Sequence, residues 1–537
     1  MPEHEAGPAP FAATGPNNQK CRLGWGWVLF LLALQIWSRY LPAPQAVLVA
    51  DDWSNWARCS FYVSPLEALR AGLQEPHRPI SQCAVETGFW LFGDQPLFWT
   101  LVSLVANSLL LLAMAKMVLE LTGRRWTAVA AGIAFVLLPN LTETYHFSTQ
   151  VLNEVTCALV PYAVGGWMWV AYLRRGGGWR LAVAALAYAV GLFSYEAGIL
   201  LPAAYLMLIP WRRERAGAGW RLAPFALVGV CYLAWRATNA FGLNEAWFYP
   251  GHMQTGLSWR VIAANVGHLG QCWVGNYMLG ALLSGWESFS TLTPGLRLAL
   301  FVGDVGVVAL IGWGLFRLAG AEPQDPAQTP FSRAQMVCFA LAWAAAAWAI
   351  SAVSYIGGRL NVIPAIGISL LAALVLERRA IRVWGLFLLV PALLALVANQ
   401  GTAESYRQAG AFNRGMYAAL RQSAPAWRDK KILLFDSRAL RQRQTPGLLK
   451  PLGEEHPTWA KYGSAPLMRG FTLIGMVRLA SGQKELGIHV MHDVEYGARI
   501  EGDRLIWHER FDPSRPRTNS IGDAYVVDCL LAGQGTE

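Results

Sequence analysis

The sequence predicts an all-α polytopic membrane protein with about eleven transmembrane helices, followed by a small C-terminal α/β domain. Of the 537 residues, 54% are hydrophobic and only 15% are charged, well below the roughly 25% typical of soluble domains. The apolar residues also fall in long blocks. The arginines behind the net charge of +10 lie between those blocks, so we assign them to membrane topology and predict no nucleic-acid binding.

The first apolar block follows a polar, Pro- and Gly-rich segment, residues 1–23, which we predict to be a disordered cytoplasmic tail. The block itself covers about 24–40. A cleaved signal peptide is the alternative, which the aromatic residues at both ends of the block and the many later spans disfavour. The further blocks lie near 96–118, 126–139, 152–173, 181–194, 197–210, 221–237, 296–316, 334–354, 361–376 and 383–398.

The charges of the loops set the predicted orientation. Alternate loops carry arginines, and by the positive-inside rule these loops are cytoplasmic. The N-terminus is then inside and the C-terminus outside. The transmembrane domain, 24–398, has two large external loops, 41–95 and 238–295, and precedes a periplasmic soluble domain, 399–537. The cytoplasmic arginines include Arg22, Arg124, Arg125, Arg174, Arg175, Arg180, Arg212, Arg213, Arg215, Arg221, Arg317, Arg333, Arg378, Arg379 and Arg382.

The polar tail contains two short apolar runs, KILLFD at 431–436 and YVVDCLL at 525–531. Both runs have the composition of buried strands, and they predict the small α/β domain. The cysteines form no CxxC pair, so no zinc or redox motif is present. Cys59 and Cys83 share the first external loop. In an oxidising compartment they either form a disulfide or remain two free thiols.

Two adjacent acids, Asp51 and Asp52, lie near the start of the first external loop, beside Trp53. Acids close to anionic headgroups have an electrostatic cost, which suggests a purpose. One acid would act as a general base, and the other would orient it or bind a cation. Adjacent side chains in an extended segment point opposite ways, so the two would not contact the same atom. The alternative is structural, with aspartate capping a helix that starts in DDWSNW.

Arginines and further acids lie at the external ends of other spans. His77 and Arg78 precede Pro79 just before the second span, and Arg359 lies at the external start of a later one. Either arginine would bind a phosphate bidentately, or it would be a solvated loop residue. Glu143 and Glu196 follow apolar blocks, and an acid at that depth indicates a functional site or a partner for a nearby cation. We therefore predict that these residues converge in one cleft.

In their order along the chain, these elements resemble the GT-C superfamily of membrane glycosyltransferases. The closest pattern is that of the protein O-mannosyltransferases and the tetratricopeptide-bearing transmembrane O-mannosyltransferases. The resemblance covers about residues 25–376 and rests on several short motifs in sequence. These are the acidic pair Asp51-Asp52, His77-Arg78-Pro79-Ile80, the aromatic approach from Phe92 to Trp99, Asn107, the turn from Pro139 to Glu143, Ser194-Tyr195-Glu196-Ala197-Gly198, and Arg359 with Pro364.

Several positions depart from the family's pattern. Tyr195 stands where the family has Lys, Leu360 where it has Tyr, and Leu138 where a histidine is usual. The last change puts a metal ligand at that place in doubt. The tail lacks the repeats of the tetratricopeptide-bearing members. These departures concern the sugar and the acceptor more than the fold.

The resemblance implies transfer of a sugar from a polyprenyl-phosphate donor to a hydroxyl acceptor, with inversion at the anomeric carbon. Asp51, or else Asp52, would take the acceptor's proton, and Arg78 or Arg359 would bind the phosphate. Glu143 and Glu196 would hydrogen-bond the sugar or the acceptor, or hold an arginine. No cofactor is predicted with certainty, because the acids could hold a divalent cation and the two arginines could replace it.

Two other classes of protein remain as alternatives. A transporter or flippase of a lipid-linked sugar would use the acids to relay protons or bind ions, but no internal inverted repeat is visible and the acids lie at one face. A non-enzymatic envelope scaffold would bind its partner through the tail. The composition suits a bacterial cytoplasmic (inner) membrane with a periplasmic active face. The acceptor and the sugar are not specified by the sequence.

Overall fold

The structure is a computed structural model in which most of the described residues are helical. It describes residues 23–41, 48–49, 51–75, 78–141, 143–209, 218–239, 259–260, 262–263, 266–267, 278–321, 330–353, 362–376, 378–427, 429–430, 432–436, 470–483, 487–491, 498–509, 512–520, 522 and 524–528.

The first half of the chain forms twelve α-helices within the described residues, with one π-helix between α8 and α9 at Val151–Leu159. Short 3₁₀ turns cover Pro139–Leu141 and Glu196–Gly198. The α-helices are α1 Trp25–Arg39, α2 Asp51–Cys59, α3 Pro65–Leu73, α4 Pro79–Phe92, α5 Pro96–Thr122, α6 Arg125–Leu137, α7 Glu143–His146, α8 Ser148–Gln150, α9 Val160–Arg175, α10 Gly178–Ser194, α11 Leu201–Leu206 and α12 Ala218–Asn239.

The second half continues with α13 Ala281–Ser290, α14 Pro294–Ala321, α15 Arg333–Val353, α16 Val362–Val375, α17 Arg378–Trp427 and α18 Gly470–Ser481. Helix α17 has 50 residues and continues through Pro391. It therefore runs across residue 399, where the sequence predicts the start of the periplasmic domain. That domain division stays a prediction.

Three helices in the described part of the chain are long and apolar enough to cross a bilayer: Pro96–Thr122, Ser148–Arg175 and Pro294–Leu318. Shorter apolar helices cover Arg125–Leu137, Gly178–Ser194, Glu196–Leu206 and Val362–Val375. These helices agree with a multi-pass membrane protein. The predicted number of about eleven spans remains a prediction.

The ends of α5 and α9 meet through charged side chains. Arg174 donates to the Glu120 carbonyl oxygen over 2.8 Å, and both Arg174 and Arg175 pair with the Glu120 carboxylate. Two loops that the sequence places in the cytoplasm thus lie at the same end of the bundle. The exposed residues Trp25 and Trp179 lie in the first turns of α1 and α10, at the ends predicted to be cytoplasmic. Tryptophans in such positions are typical of an interfacial aromatic belt.

The tail contains two small sheets among its described residues. Strands β1 Ile432–Asp436, β2 Gly487–Met491 and β6 Ala524–Asp528 form a parallel sheet in the order β2-β1-β6. Strands β3 Ala498–Glu501, β4 Arg504–Glu509 and β5 Asp512–Ser520 form an antiparallel sheet. Both predicted runs, 431–436 and 525–531, therefore contain strands. Whether the tail is an independent α/β domain remains a prediction.

An apolar core, separate from the one between the long helices, joins the tail to the first loop that the sequence places outside. It gathers Trp53 of α2, Phe89 of α4, Tyr406 of α17 and Met476 of α18. The contact between α18 and α2 is close, because a Cβ added at Gly475 would stand 2.5 Å from the Trp53 carbonyl carbon and oxygen. Glycine is therefore required where the tail packs against the helix that carries Asp51 and Asp52.

We predict that Gly475→Ala destabilises the protein, because its methyl group meets backbone that has no flexible side chain to move. Overpacking of this kind typically costs about 1–3 kcal/mol. The measurement is the melting temperature in detergent by intrinsic tryptophan fluorescence. Gly306→Ala is the matched control, since Gly306 also lies in a helix but has nothing within 4 Å of the added Cβ. A Gly475→Ala protein as stable as the control would contradict the prediction.

Candidate active site

Asp52 is fully buried, and its carboxylate connects α2 to Thr149 of α8. Its Oδ1 accepts hydrogen bonds from the Thr149 backbone N–H at 2.7 Å and from the Thr149 hydroxyl at 2.6 Å. Its Oδ2 accepts from the Val49 N–H at 3.1 Å. Val49 lies before the first residue of α2, so this contact holds the segment that enters the helix. It differs from the N-cap role that the sequence left open, in which the side chain accepts from an N–H further along the helix. Both carboxylate oxygens thus serve to hold the loop in place.

Arg78 and Glu196 meet across 118 residues of sequence in a bidentate pair. The Arg78 Nε donates to Oε2 at 2.9 Å and Nη2 donates to Oε1 at 2.8 Å, the geometry that suits guanidinium and carboxylate best. The Arg78 guanidinium also lies 4.1 Å from the centre of the Tyr195 ring. The pair leaves the Nη1 amino group of Arg78 outside it, on a side chain that is 30% exposed.

Two further charges act on this pair. Glu154, a buried residue of the π-helix, lies close enough to Arg78 to interact with it electrostatically. Arg236, in the last turn of α12, interacts in the same way with Glu196. We call these four residues, Arg78, Glu154, Glu196 and Arg236, the rim cluster. Arg78 and Glu196 are in direct contact, whereas Glu154 and Arg236 act on that pair at longer range.

The pKa of Arg78 reflects this setting. Burial by itself lowers it, but the neighbouring Glu196 carboxylate outweighs burial, and the pKa of Arg78 lies above its ordinary value. The guanidinium is therefore positively charged at every physiological pH. A permanently charged arginine is the type of group that binds phosphate and stabilises a leaving phosphate.

A chain of polar contacts connects Asp52 to the helix that begins after Arg78. Asn55 donates to the Thr149 hydroxyl oxygen at 3.0 Å, and Arg58 donates to the Asn55 side-chain oxygen at 3.1 Å. Arg58 also pairs with the Glu86 carboxylate of α4. The acidic pair and the rim cluster are thus held on one framework of α2, α4 and the segment from Thr149 onward.

Arg39 positions the turn between α6 and α8. Its side chain is fully buried and donates to the carbonyl oxygens of Val136 and Leu138 at the end of α6. It also lies 4.8 Å from the Tyr145 ring centre. Burial, and then the Arg39 charge, lower the pKa of His146 to about 3, so that this histidine is neutral at physiological pH. The turn that precedes Thr149 is therefore rigidly supported.

The structure brings some of the sequence-predicted residues together and leaves others undescribed. It pairs Arg78 with Glu196 and places Asp52 at Thr149. Asp51 begins α2 and Glu143 begins α7, but their side chains lie outside what the structure describes. His77 and Arg359 lie outside the described residues altogether. Their predicted roles stay predictions.

Two cysteines of the first loop and one acid within an apolar helix also have hydrogen-bond partners. Cys59 and Cys83 are free thiols; Cys59 donates to the Glu86 carboxylate at 3.0 Å, whereas Cys83 donates to the Leu69 carbonyl oxygen at 3.4 Å. Asp304, in the middle of α14, accepts from the Trp37 indole at 2.7 Å and from the Gln400 amide at 2.9 Å. Among the residues that the structure describes, no three His, Cys, Asp or Glu side chains are grouped as metal ligands.

Sequence reasoning missed Glu154, Arg236 and Glu86. Glu154 lies inside the apolar block at 152–173, and an ionisable residue within a span is by default a functional candidate. Arg236 lies at the predicted external end of its block, where the positive-inside rule does not account for an arginine. Both residues therefore carried a visible indication. Glu86 lies in a mixed polar loop and carried none.

Comparison with known proteins finds similarity to solved structures. No family model matches the chain, and no curated protein sequence matches it. Among solved structures, ArnT from Cupriavidus metallidurans bound to undecaprenyl phosphate aligns at 15% identity and a TM-score of 0.33, over 87% of this chain and 90% of that one. The apo form of that protein aligns at 14% identity and a TM-score of 0.32, over 86% of this chain and 89% of that one.

We predict that Arg78 and Glu196 are energetically coupled. Arg78→Gln and Glu196→Gln should each lower the melting temperature, because each leaves a half-buried charge without its bidentate partner. The double variant should lose less than the sum of the two, with a coupling free energy of about 0.5–3 kcal/mol. As a control, Arg78→Gln combined with Asp503→Asn, in the distant tail hairpin, should be additive. Additive losses for Arg78 and Glu196 would contradict the pairing.

Proposed function

We propose that this chain is a membrane glycosyltransferase that moves a sugar from a polyprenyl-phosphate donor to a hydroxyl acceptor at the external face of a bacterial inner membrane. The observation that carries the proposal is the rim cluster. Within it, Arg78 and Glu196 form a bidentate pair across 118 residues of sequence, and Glu154 and Arg236 act electrostatically on that pair. A charged cluster at that depth suits a substrate that is both anionic and anchored in lipid.

Arg78 is the proposed ligand of the donor phosphate. Glu196 fixes the plane of its guanidinium and leaves Nη1 for the ligand. Tyr195 replaces the lysine of the resembling family, and its ring packs on Arg78. The site thus gains an aromatic support for the arginine in place of a second cation. Arg359 remains the second proposed phosphate ligand, and His77 a further substrate contact.

Asp51 is the proposed general base. Asp52 uses both carboxylate oxygens in hydrogen bonds to Thr149 and Val49, so its role is to hold the loop. Asp51 is the adjacent acid, at the first residue of α2. It would take the proton from the acceptor hydroxyl as that oxygen attacks the anomeric carbon. Glu143 would hydrogen-bond the sugar or the acceptor.

The proposed reaction is a single displacement. A bond forms between the acceptor oxygen and the anomeric carbon while the bond from that carbon to the donor phosphate oxygen breaks. The polyprenyl phosphate leaves with the bonding electrons, and Arg78 stabilises its growing negative charge. The configuration at the anomeric carbon is inverted. The described residues group no three carboxylate, His or Cys ligands, so Arg78 carries the charge stabilisation in this proposal.

We predict that the protein co-purifies with a polyprenyl-phosphate lipid. Mass spectrometry of lipid extracted from protein purified in mild detergent should find a polyprenyl phosphate or its sugar ester. The amount per protein should fall several-fold in Arg78→Gln, because that variant lacks the proposed phosphate ligand, and should be unchanged in Arg504→Gln of the tail. Only bulk phospholipid in every sample would argue against this donor class.

We predict that Asp51→Asn abolishes transfer but leaves the fold intact. The loss should reach about 10²- to 10⁴-fold, the usual contribution of a general base. Asp52→Asn should lower the melting temperature instead, because an amide nitrogen would face donors. The assay incubates each variant with the lipid-linked sugar that co-purifies with the protein and with cell-envelope extract as the source of acceptor. It measures the polyprenyl phosphate released. Asp94→Asn, an exposed acid of the same loop, is the control.

Two results, one from this assay and one from a vesicle experiment, would contradict the proposal. Full transfer by both aspartate variants would remove the base from the acidic pair. Movement of labelled lipid-linked sugar across a vesicle bilayer with no acceptor consumed would assign the protein to transport. A truncated chain without the tail that retained transfer would exclude a role of the tail in the reaction.

A further inference from the structure

Helix α3 carries an apolar face that the described part of the chain does not cover. Leu66, Leu69 and Leu73 lie along one side of the helix, because positions separated by three, four or seven residues share a face. They are 53%, 39% and 53% exposed, and Val63 just before the helix is 90% exposed. Four exposed apolar side chains in eleven residues form a continuous surface, unlike singly scattered ones.

The opposite side of α3 packs tightly on α4. Ala68 and Gly72 are buried there, and a Cβ added at Gly72 would stand 2.5 Å from the backbone of Cys83. The Cys83 thiol also donates to the Leu69 carbonyl oxygen. Small residues thus face the protein and leucines face away from it. The exposed face is consequently held in a fixed orientation by α4.

Helix α4 sets the position of this face relative to the ends of α10 and α5. At its start, the Ser81 hydroxyl donates to the Ser194 carbonyl oxygen at 3.0 Å, and Arg78 pairs with Glu196, so this end lies at the end of α10. At its other end, the Trp99 indole of α5 donates to the Gly93 carbonyl oxygen at 2.9 Å. With 14 residues, α4 spans about 21 Å across the outer ends of two apolar helices.

The exposed surface of α5 continues this apolar region. Leu97, Leu101, Val105 and Leu109 recur every four residues and are all exposed, which is the pattern of a lipid-facing stripe. The stripe begins one residue after α5 starts, beside the end of α4. The stripe thus begins at the end of α5 that adjoins α4, the helix on which α3 packs.

The charges of α3 also suit a membrane surface. Arg70 is exposed beside the leucines, where it would meet anionic headgroups. The Glu67 carboxylate is engaged at the start of the helix, where it accepts a hydrogen bond from the Val63 N–H at 2.7 Å. The nine residues of α3 are about 14 Å long, too short to cross a hydrocarbon core of about 30 Å. A helix of this kind lies in the plane of the interface.

We propose that α3 is an interfacial helix that binds the outer leaflet of the phospholipid bilayer. Leu66, Leu69 and Leu73 insert at the boundary between headgroups and acyl chains, about 5–10 Å deep, and Arg70 contacts lipid phosphate. This inference goes beyond the proposed function and does not depend on it. It makes α3 the membrane-bound element of the loop that carries Asp51 and Asp52.

The test places a bimane fluorophore on Leu66→Cys and Leu73→Cys, in a background whose eight cysteines are replaced by serine or alanine. The protein is reconstituted in vesicles of phosphatidylcholine and phosphatidylglycerol that contain lipids with brominated acyl chains. Quenching at both sites should reach at least half of that at Val105→Cys on α5. Asp503→Cys in the tail hairpin should remain unquenched. Melting temperatures of the labelled variants confirm that they are folded.

Quenching as low as that of the Asp503 label would overturn the proposal. Access to aqueous iodide would then show that the face is solvated, and protection from both quenchers would show that protein covers it. A label-free arm uses the native cysteines. Amide hydrogen exchange of α3 in the same vesicles should accelerate several-fold in Leu66→Ser/Leu73→Ser, and an unchanged rate would also overturn the proposal.

Discussion

A charged side chain at the end of an apolar helix is costly unless it has a partner, and this constraint organises the outer part of the molecule. Several of these ions are buried or partly buried, so each needs an opposite charge or several hydrogen bonds. Arg78 meets Glu196, Asp52 accepts three hydrogen bonds, and Arg58 meets Glu86. These pairings connect the first external loop to α10 and to the turn before α9. The loop thereby gains a defined position above the helices.

The sequence predicted the apolar helices of the protein correctly, and it singled out two residues that the structure pairs. Long apolar blocks identify apolar helices without knowledge of the fold. Glu196 stood out because it lies between two such blocks, and Arg78 because it precedes a proline in the loop before the second block. That they bind each other was not predictable, since 118 residues separate them and helix packing decides which ends are adjacent. The alternative interpretation of Glu196, as the partner of a nearby cation, also describes what the structure shows.

Other features could not be predicted from composition. The change from apolar to polar residues near 399 suggested a domain boundary, yet α17 continues from Arg378 to Trp427 without a break. A helix changes its surface residues where its surroundings change, while its backbone hydrogen bonds continue unaltered. Glu154 was overlooked inside an apolar block. It lies on nine residues of π-helix, a distortion that shifts side chains around the axis and is often found at functional sites.

The close approach of Gly475 to Trp53 has a mechanical consequence. With no side chain between the two backbones, α18 and α2 are in rigid contact, and Asp52 is the residue next to Trp53. Any ligand or neighbouring envelope component that displaced the tail helix would push directly on the acidic loop. The position of α18 is therefore coupled directly to the position of the helix that begins at Asp51.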